Sequence, residues 1–161
     1  MAREQFGICA EPSLHGYYLL FNVIDDQDEY VRQALSRLPA LFAKYFDQFS
    51  EANLTGVIGI GANYWDELYP YSRPKQLAAF SALQCEDRIA PANNYDLYVE
   101  IRSDRADVNH IVSTKVCELL ADSVELIEQT KAFRYLDGRD LTGFVDGTEN
   151  PRGLHRRKVA L

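Results

Sequence analysis

The chain is expected to fold as an α+β domain of the ferredoxin-like, split βαβ kind, a four-stranded antiparallel sheet with two helices on one face. Three observations predict it. Two stretches carry apolar residues at helical spacing, four runs have strand character, and their order is strand, helix, strand, strand, helix, strand.

Residues 15–24 (HGYYLLFNVI) form a nearly unbroken run of aromatic, Leu and β-branched residues, closed by the polar Asp25-Asp26-Gln27-Asp28. Such a run reads as a central strand buried on both faces. Val31, Leu35, Leu38, Phe42, Tyr45 and Phe49 then recur at steps of three or four, one apolar stripe on a helix whose first turn is acidic. Pro39 lies inside that stripe and predicts a kink or a break.

Residues 54–61 (LTGVIGIG) alternate glycine with β-branched residues, as a strand does where another backbone or a ligand comes close. Residues 62–95 lack clear periodicity and are rich in proline and aromatics. So long a connection is functional or packs against another surface. Tyr64, Trp65, Tyr69 and Tyr71 read first as packing residues and second as relays for electrons from bulky donors.

In residues 96–104 (DLYVEIRSD), Leu97, Val99 and Ile101 alternate with Tyr98, Glu100 and Arg102, the period of a half-buried strand. The second helix starts near Asp107, with its stripe on Val108, Ile111, Val112, Val116, Leu119 and Leu120. Residues 124–135 read as a fourth, partly polar strand. Both helices lie on one sheet face, so the other needs a second domain, a partner subunit or a cofactor as cover. Self-association into a homo-oligomer is expected of that face.

The 161 residues amount to one domain, 1–161, of ordinary hydrophobic content. Acidic residues outnumber basic ones by 24 to 17, a net charge of −7 that opposes attraction to nucleic acid or anionic lipid. No window approaches the roughly 20 apolar residues that span a bilayer, and Met1-Ala-Arg-Glu-Gln lacks signal features, so a cytoplasmic location is expected. Cys9, Cys85 and Cys117, an odd number without CxxC spacing, suggest neither a disulfide framework nor a zinc site.

Residues 135–151 (YLDGRDLTGFVDGTENP) hold three glycines, an Asn and a Pro, a tight irregular backbone able to hold one side chain stiffly. Gly143 and Gly147 bracket Asp146 and would let the main chain approach a flat ligand closely. On its own, Asp-Gly followed by Asn-Pro means no more than a turn and a helix start. The whole string says more. Residues 143–151 (GFVDGTENP) resemble the Gly-x-x-Asp-Gly signature of the dye-decolourising haem peroxidases, and the flanking Arg139-Asp140-Leu141-Thr142 is also similar. The resemblance extends to the long connection with Trp65 and Pro74, to Ala90-Pro91 leading into Asp96-Leu97, and to the order of elements.

What is similar is the family's amino-terminal half, one half of a dimeric α/β-barrel-type peroxidase with a second ferredoxin-like domain after it. Residues 136–161 would be the distal-site loop and the start of the connection to that domain. The resemblance implies haem b as cofactor, hydrogen peroxide and a small phenolic or dye-like aromatic donor as partners, and Asp146 as the catalytic distal acid–base residue. It also implies that Asp146, Gly147 and Thr148 line the haem. A base there takes a proton from one peroxide oxygen and returns it to the departing one, so that water leaves. The distal arginine and the proximal histidine of the family lie in its second half. His15, His110 and His155 match neither position, and no metal ligand is assigned. His155, just beyond the motif, is the histidine worth testing, while Arg152, Arg156 and Arg157 read as a solvated charge cluster with propionate pairing as the alternative.

Lys158-Val159-Ala160-Leu161 is an apolar ending in mid-pattern, and truncation is expected from it. The chain alone is therefore expected to be inactive. Two other functions stay open, a catalytically silent assembly module that associates through its open sheet face and a haem-handling or monooxygenase-like relative of the same fold.

Overall fold

The computed structural model describes residues 3–160, so the expectations resting on Met1, Ala2 and Leu161 lie outside the described residues. The elements are β1 (His15–Val23), α1 (Asp28–Gln48), β2 (Thr55–Ile60), α2 (Trp65–Leu68), β3 (Leu83–Cys85), β4 (Arg88–Ala90), β5 (Leu97–Ser103), α3 (Ala106–Leu120), β6 (Val124–Phe133) and α4 (His155–Ala160). The four long strands make one antiparallel sheet in the order β2-β5-β1-β6.

Alternation along β5 decides which face is the core. Leu97, Val99, Ile101 and Ser103 are buried, and Tyr98, Glu100 and Arg102 are half-buried. Cross-strand neighbours share a face. Phe21, Leu19 and Tyr17 of β1 stand opposite Leu97, Val99 and Ile101, and so do Ile60, Ile58 and Gly56 of β2. Against this layer lie α1, through Val31, Leu35 and Leu38, and α3, through Val108, Val112, Val116 and Leu120. The expected ferredoxin-like domain forms, with both helices on one face.

Three local expectations change. β1 is central, but only the side bearing Tyr17, Leu19 and Phe21 is fully buried; Tyr18, Leu20 and Asn22 are less so because no layer of described residues covers them. Of the kink or break expected at Pro39, the break does not occur, because α1 runs continuously from Asp28 to Gln48. Pro39 withholds the donor for the carbonyl of Leu35, and packing of the apolar stripe at Val31, Leu35, Leu38 and Tyr45 outweighs the missing bond. The connection at 62–95 contains α2 and the hairpin β3–β4, which turns at Glu86 with φ 55°.

Its aromatics divide. Tyr64 is buried and donates to Asp28 Oδ1 at 2.6 Å, and burial followed by that carboxylate pushes its phenol far above the usual range. Trp65 and Tyr69 pack ring to ring at 5.5 Å, with Arg32 near the Tyr69 ring and donating to Leu68 O at 2.8 and 3.1 Å. Only Tyr71 is fully exposed among the four. Packing of the connection onto α1 accounts for the other three.

The glycines of β2 meet protein. A Cβ on Gly56 would lie 2.5 Å from the Phe42 ring of α1, and one on Gly61 would lie 2.1 Å from Tyr95 O. Gly56→Ala should therefore force α1 off the sheet and cost about 1–3 kcal/mol. Urea unfolding measures it, and a midpoint unchanged from the unaltered protein would show that Phe42 swings aside freely.

Candidate functional site

β6 delivers the chain to the motif. Its pairing with β1 continues to His15↔Phe133, and Arg134 N–H then donates to Leu14 O at 2.7 Å. Beyond Arg134 the backbone reverses repeatedly, with positive φ at Leu136 (47°), Gly138 (99°), Gly143 (93°), Gly147 (66°) and Gly153 (53°). Tyr135 bridges Arg139, and Arg139 bridges Val145, so the loop folds back on itself as single antiparallel pairs.

Asp140 ties the first reversal. Its Oδ1 accepts from Thr142 N–H at 2.9 Å, from Phe144 N–H at 3.2 Å and from the Thr142 hydroxyl, while its own N–H donates to Phe144 O at 3.0 Å. The Thr142 hydroxyl, followed by these backbone donors, holds the Asp140 carboxyl below the usual carboxylate range. Arg139 braces the same turn, donating to Gly143 O at 3.0 Å and to Asp137 Oδ1 at 2.9 Å.

Asp146 is held by its backbone alone. Its N–H donates to Gly138 O at 3.2 Å, and Asn150 N–H donates to Gly147 O at 3.1 Å, fixing the residue on either side. Gly147 is in the left-handed region, which calls for glycine, and a Cβ there would lie 2.5 Å from Asn150 Nδ2, the movable end of that side chain. The Asp146 side chain is exposed, and no hydrogen bond or ion pair engages its carboxylate among the described residues. Around it the loop exposes Leu136 (67%), Leu141 (77%), Phe144 (75%) and Val145 (52%). So dense a set of exposed large apolar side chains marks a surface made to be covered. The arrangement offers an unpartnered carboxylate on a pinned backbone, beside exposed apolar side chains of the same loop.

Asp146, Gly147 and Thr148 are contiguous, with Gly147 half-buried and Thr148 exposed. The histidines are scattered: His15 begins β1, His110 is exposed on α3, and His155 is exposed at the start of α4. Among the described residues no group of three or more His, Cys, Asp or Glu could hold a metal ion, and no helix is long and apolar enough to cross a membrane. The solvated arginine cluster needs correcting at Arg156, which is largely buried, while Arg152 and Arg157 are exposed as expected. Arg156 pairs with Glu11 at 2.7 Å and Arg157 pairs with Glu4, because α4 packs against the 3-10 turn Phe6–Cys9. Nothing in the sequence signals these pairs, whose members lie 145 residues apart in the case of Arg156 and Glu11.

A family model described as the amino-terminal part of the Dyp-type peroxidases matches residues 5–134. A dye-decolorizing peroxidase of Mycolicibacterium paratuberculosis is 34% identical over 136 residues, which are 84% of this chain and 38% of that relative. Among solved structures, a protein from Shewanella oneidensis described as a dyp-type peroxidase is 47% identical with a TM-score of 0.94, covering 98% of this chain and 52% of its own. A variant of DypB from Rhodococcus jostii RHA1, solved in complex with heme, is 30% identical with a TM-score of 0.84, over 92% of this chain and 48% of its own. The chain thus spans about half the length of the solved relatives and less of the other.

The Asp140 knot gives the loop a pH dependence of definite sign. A carboxyl whose folded value is depressed stabilises the fold fully above its unfolded value, about 3.9 for aspartate, and that stabilisation is lost as pH falls through the folded value. Amide exchange at Thr142, Gly143 and Phe144 should therefore accelerate, beyond its intrinsic pH dependence, on acidification below about pH 4. Asp140→Asn should remove that acid step, and an unchanged step in the variant would assign it to another group.

Proposed function

The chain belongs to the Dyp-type peroxidase family, and on that premise we propose that it supplies the distal side of a haem b peroxidase in which Asp146 moves the proton that splits hydrogen peroxide. The single observation that carries this is the contrast within one loop. Asp140 is saturated with donors, whereas the carboxylate of Asp146 is exposed and free of any described partner on a backbone pinned at Gly138 and Asn150.

The loop fits a haem. Phe144 and Val145 present exposed apolar side chains, and a Cβ on Gly143 would meet nothing within 4 Å, which leaves the backbone open to a flat ring. Gly147 and Thr148 come directly after Asp146 and would line the ring through their main chain. Haem b, when bound, supplies the iron at which peroxide is reduced. A histidine to hold the iron and a distal arginine would come from a second ferredoxin-like domain, toward which residues 136–161 would begin the connection.

Asp146 acts on the peroxide alone. Its ionised carboxylate accepts the proton of one peroxide oxygen and returns it to the other, so the departing oxygen leaves as water and not as hydroxide. The stiff loop supports this, since a base held in place needs little reorganisation between the two transfers. A small phenolic or dye-like aromatic donor then returns the electrons. We place this chemistry in the cytoplasm, and in a homo-oligomer, the latter supported by the open sheet face with its half-buried Tyr18, Tyr98 and Arg102.

On the longest form of the protein that its gene encodes, haemin titration should give a sharp Soret band, and Asp146→Asn should keep that band while lowering peroxide turnover by about 10²–10⁴-fold. Equal turnover in the two proteins would remove Asp146 from the chemistry. A Soret band that never sharpens would favour the silent assembly module.

A further inference from the structure

A loop that carries an acid–base residue has to be fixed at both ends, and the described residues supply the near end simply. Arg134 leaves β6, bonds Leu14 O and donates to Asp137 O at 3.3 Å. From there to Asn150 the loop's hydrogen bonds are to itself. The far end meets the rest of the domain through α4, and the contact is made by arginine.

Arg156 donates through Nε to Pro151 O at 3.0 Å, through Nη1 to Ala10 O at 3.2 Å, and through Nη2 to Glu11 Oε2 at 2.7 Å, with Nη1 also 2.7 Å from Glu11 Oε1. Its side chain is 14% exposed. One guanidinium thus joins the last residue of the motif to the amino-terminal segment, and its planar fork suits the paired contact with a carboxylate. Arg157 adds an ion pair to Glu4.

The segment is in turn fastened to the sheet. The Gln5 side-chain amide donates to Ile58 O at 2.7 Å and accepts from Ile58 N–H at 2.8 Å, standing in for one residue of a neighbouring strand on the free edge of β2. Arg102 of β5 donates to Gly7 O, and a Cβ on Gly7 would lie 2.8 Å from Gly56 O, so the segment sits directly on the β2 backbone.

We propose that residues 4–11 are the second support of the distal loop and that Arg156 is a positioning residue for Asp146, acting through Pro151 and Asn150 on the turn at Gly147. The proposal rests on the reading of Asp146 as the proton-moving residue. It adds that the amino-terminal segment, far from the motif in sequence, sets where that carboxylate stands.

The test uses the longest form of the protein that its gene encodes, with Arg156→Ala, Arg156→Lys, the milder Glu11→Gln, and the reversed pair Glu11→Arg with Arg156→Glu. Hydrogen exchange on the haem-free protein should accelerate about tenfold at amides 144–150 in Arg156→Ala, with β1 and β5 unchanged. On the haem-loaded protein the acid limb of the pH–rate profile should move, and kcat/KM for peroxide should fall about ten- to a hundredfold. Lysine should recover part of both changes, and the reversed pair, whose carboxylate at position 156 cannot donate to Pro151 O, should recover neither. Exchange that rises only in 4–11 and α4 overturns the proposal, as does a loosened loop with an unmoved pH profile. If Arg156→Ala does not fold, Glu11→Gln decides by the same two measurements. Asp146→Asn separates the premises, because its unchanged turnover would sink the role of Asp146 while the exchange result still decides what holds the loop.

Discussion

The pairing of β1 on both its edges governs the rest of this domain. β5 on one side brings Leu97, Val99 and Ile101 beside Phe21, Leu19 and Tyr17, and that shared face is where α1 and α3 deposit their apolar stripes. β6 on the other side is held through His15↔Phe133, with a register shift between Leu20 and Phe21 that accommodates one extra residue of β6. Because side chains alternate, a slip of one residue in either pairing would turn the core outward and re-aim the start of the loop. Core and site share one register.

Within the loop, the two aspartates have opposite duties. Asp140 gathers a hydroxyl and two backbone N–H groups and so is committed to shape. Asp146 gives the loop nothing from its side chain, and its place comes from Gly138 O, Gly147 and Asn150. Under the role proposed for Asp146, a side chain that also served as a structural acceptor would lose that bond at each protonation. Keeping the two tasks on separate residues leaves the turn independent of the Asp146 side chain.

Much of this was legible in the sequence because period carries it. Alternation in 97–103 and stripes such as Val108, Val112 and Val116 report burial directly, and the order of such segments leaves few topologies. Asp146, Gly147 and Thr148 became candidates because their neighbours are a contiguous string. The hairpin at Leu83–Ala90 was missed because its strands are three residues long and fully exposed, too short to establish a period. Pro39 misled in the other direction: a local rule predicted an interruption, and tertiary packing of Val31, Leu35, Leu38 and Tyr45 overrode it. Gln5, Glu11 and Arg156 gave no signal at all. Long-range polar contacts have no spacing to read, and three charged or amide residues look like any solvated surface.

The disposition of the arginines bears on where a charge for the loop must come from. A carboxylate covered by an apolar ring loses water, which favours its neutral form, and a nearby cation restores the ionised one. Four arginines around the loop are committed among the described residues: Arg139 to Asp137 and Gly143 O, Arg134 to Asp137 O, Arg156 to Glu11 and Ala10 O, Arg157 to Glu4. Arg152 stands exposed in water, where its charge is screened. Freeing Arg156 for Asp146 would release the far end of the loop, and freeing Arg139 would open its first turn. Either change would sacrifice the position of the carboxylate to its charge. A cation brought from outside this domain avoids that conflict, and it would reach Asp146 only when the apolar side chains of Leu141 and Phe144 are also covered. Charge and cover would then arrive together, as the assembled site forms.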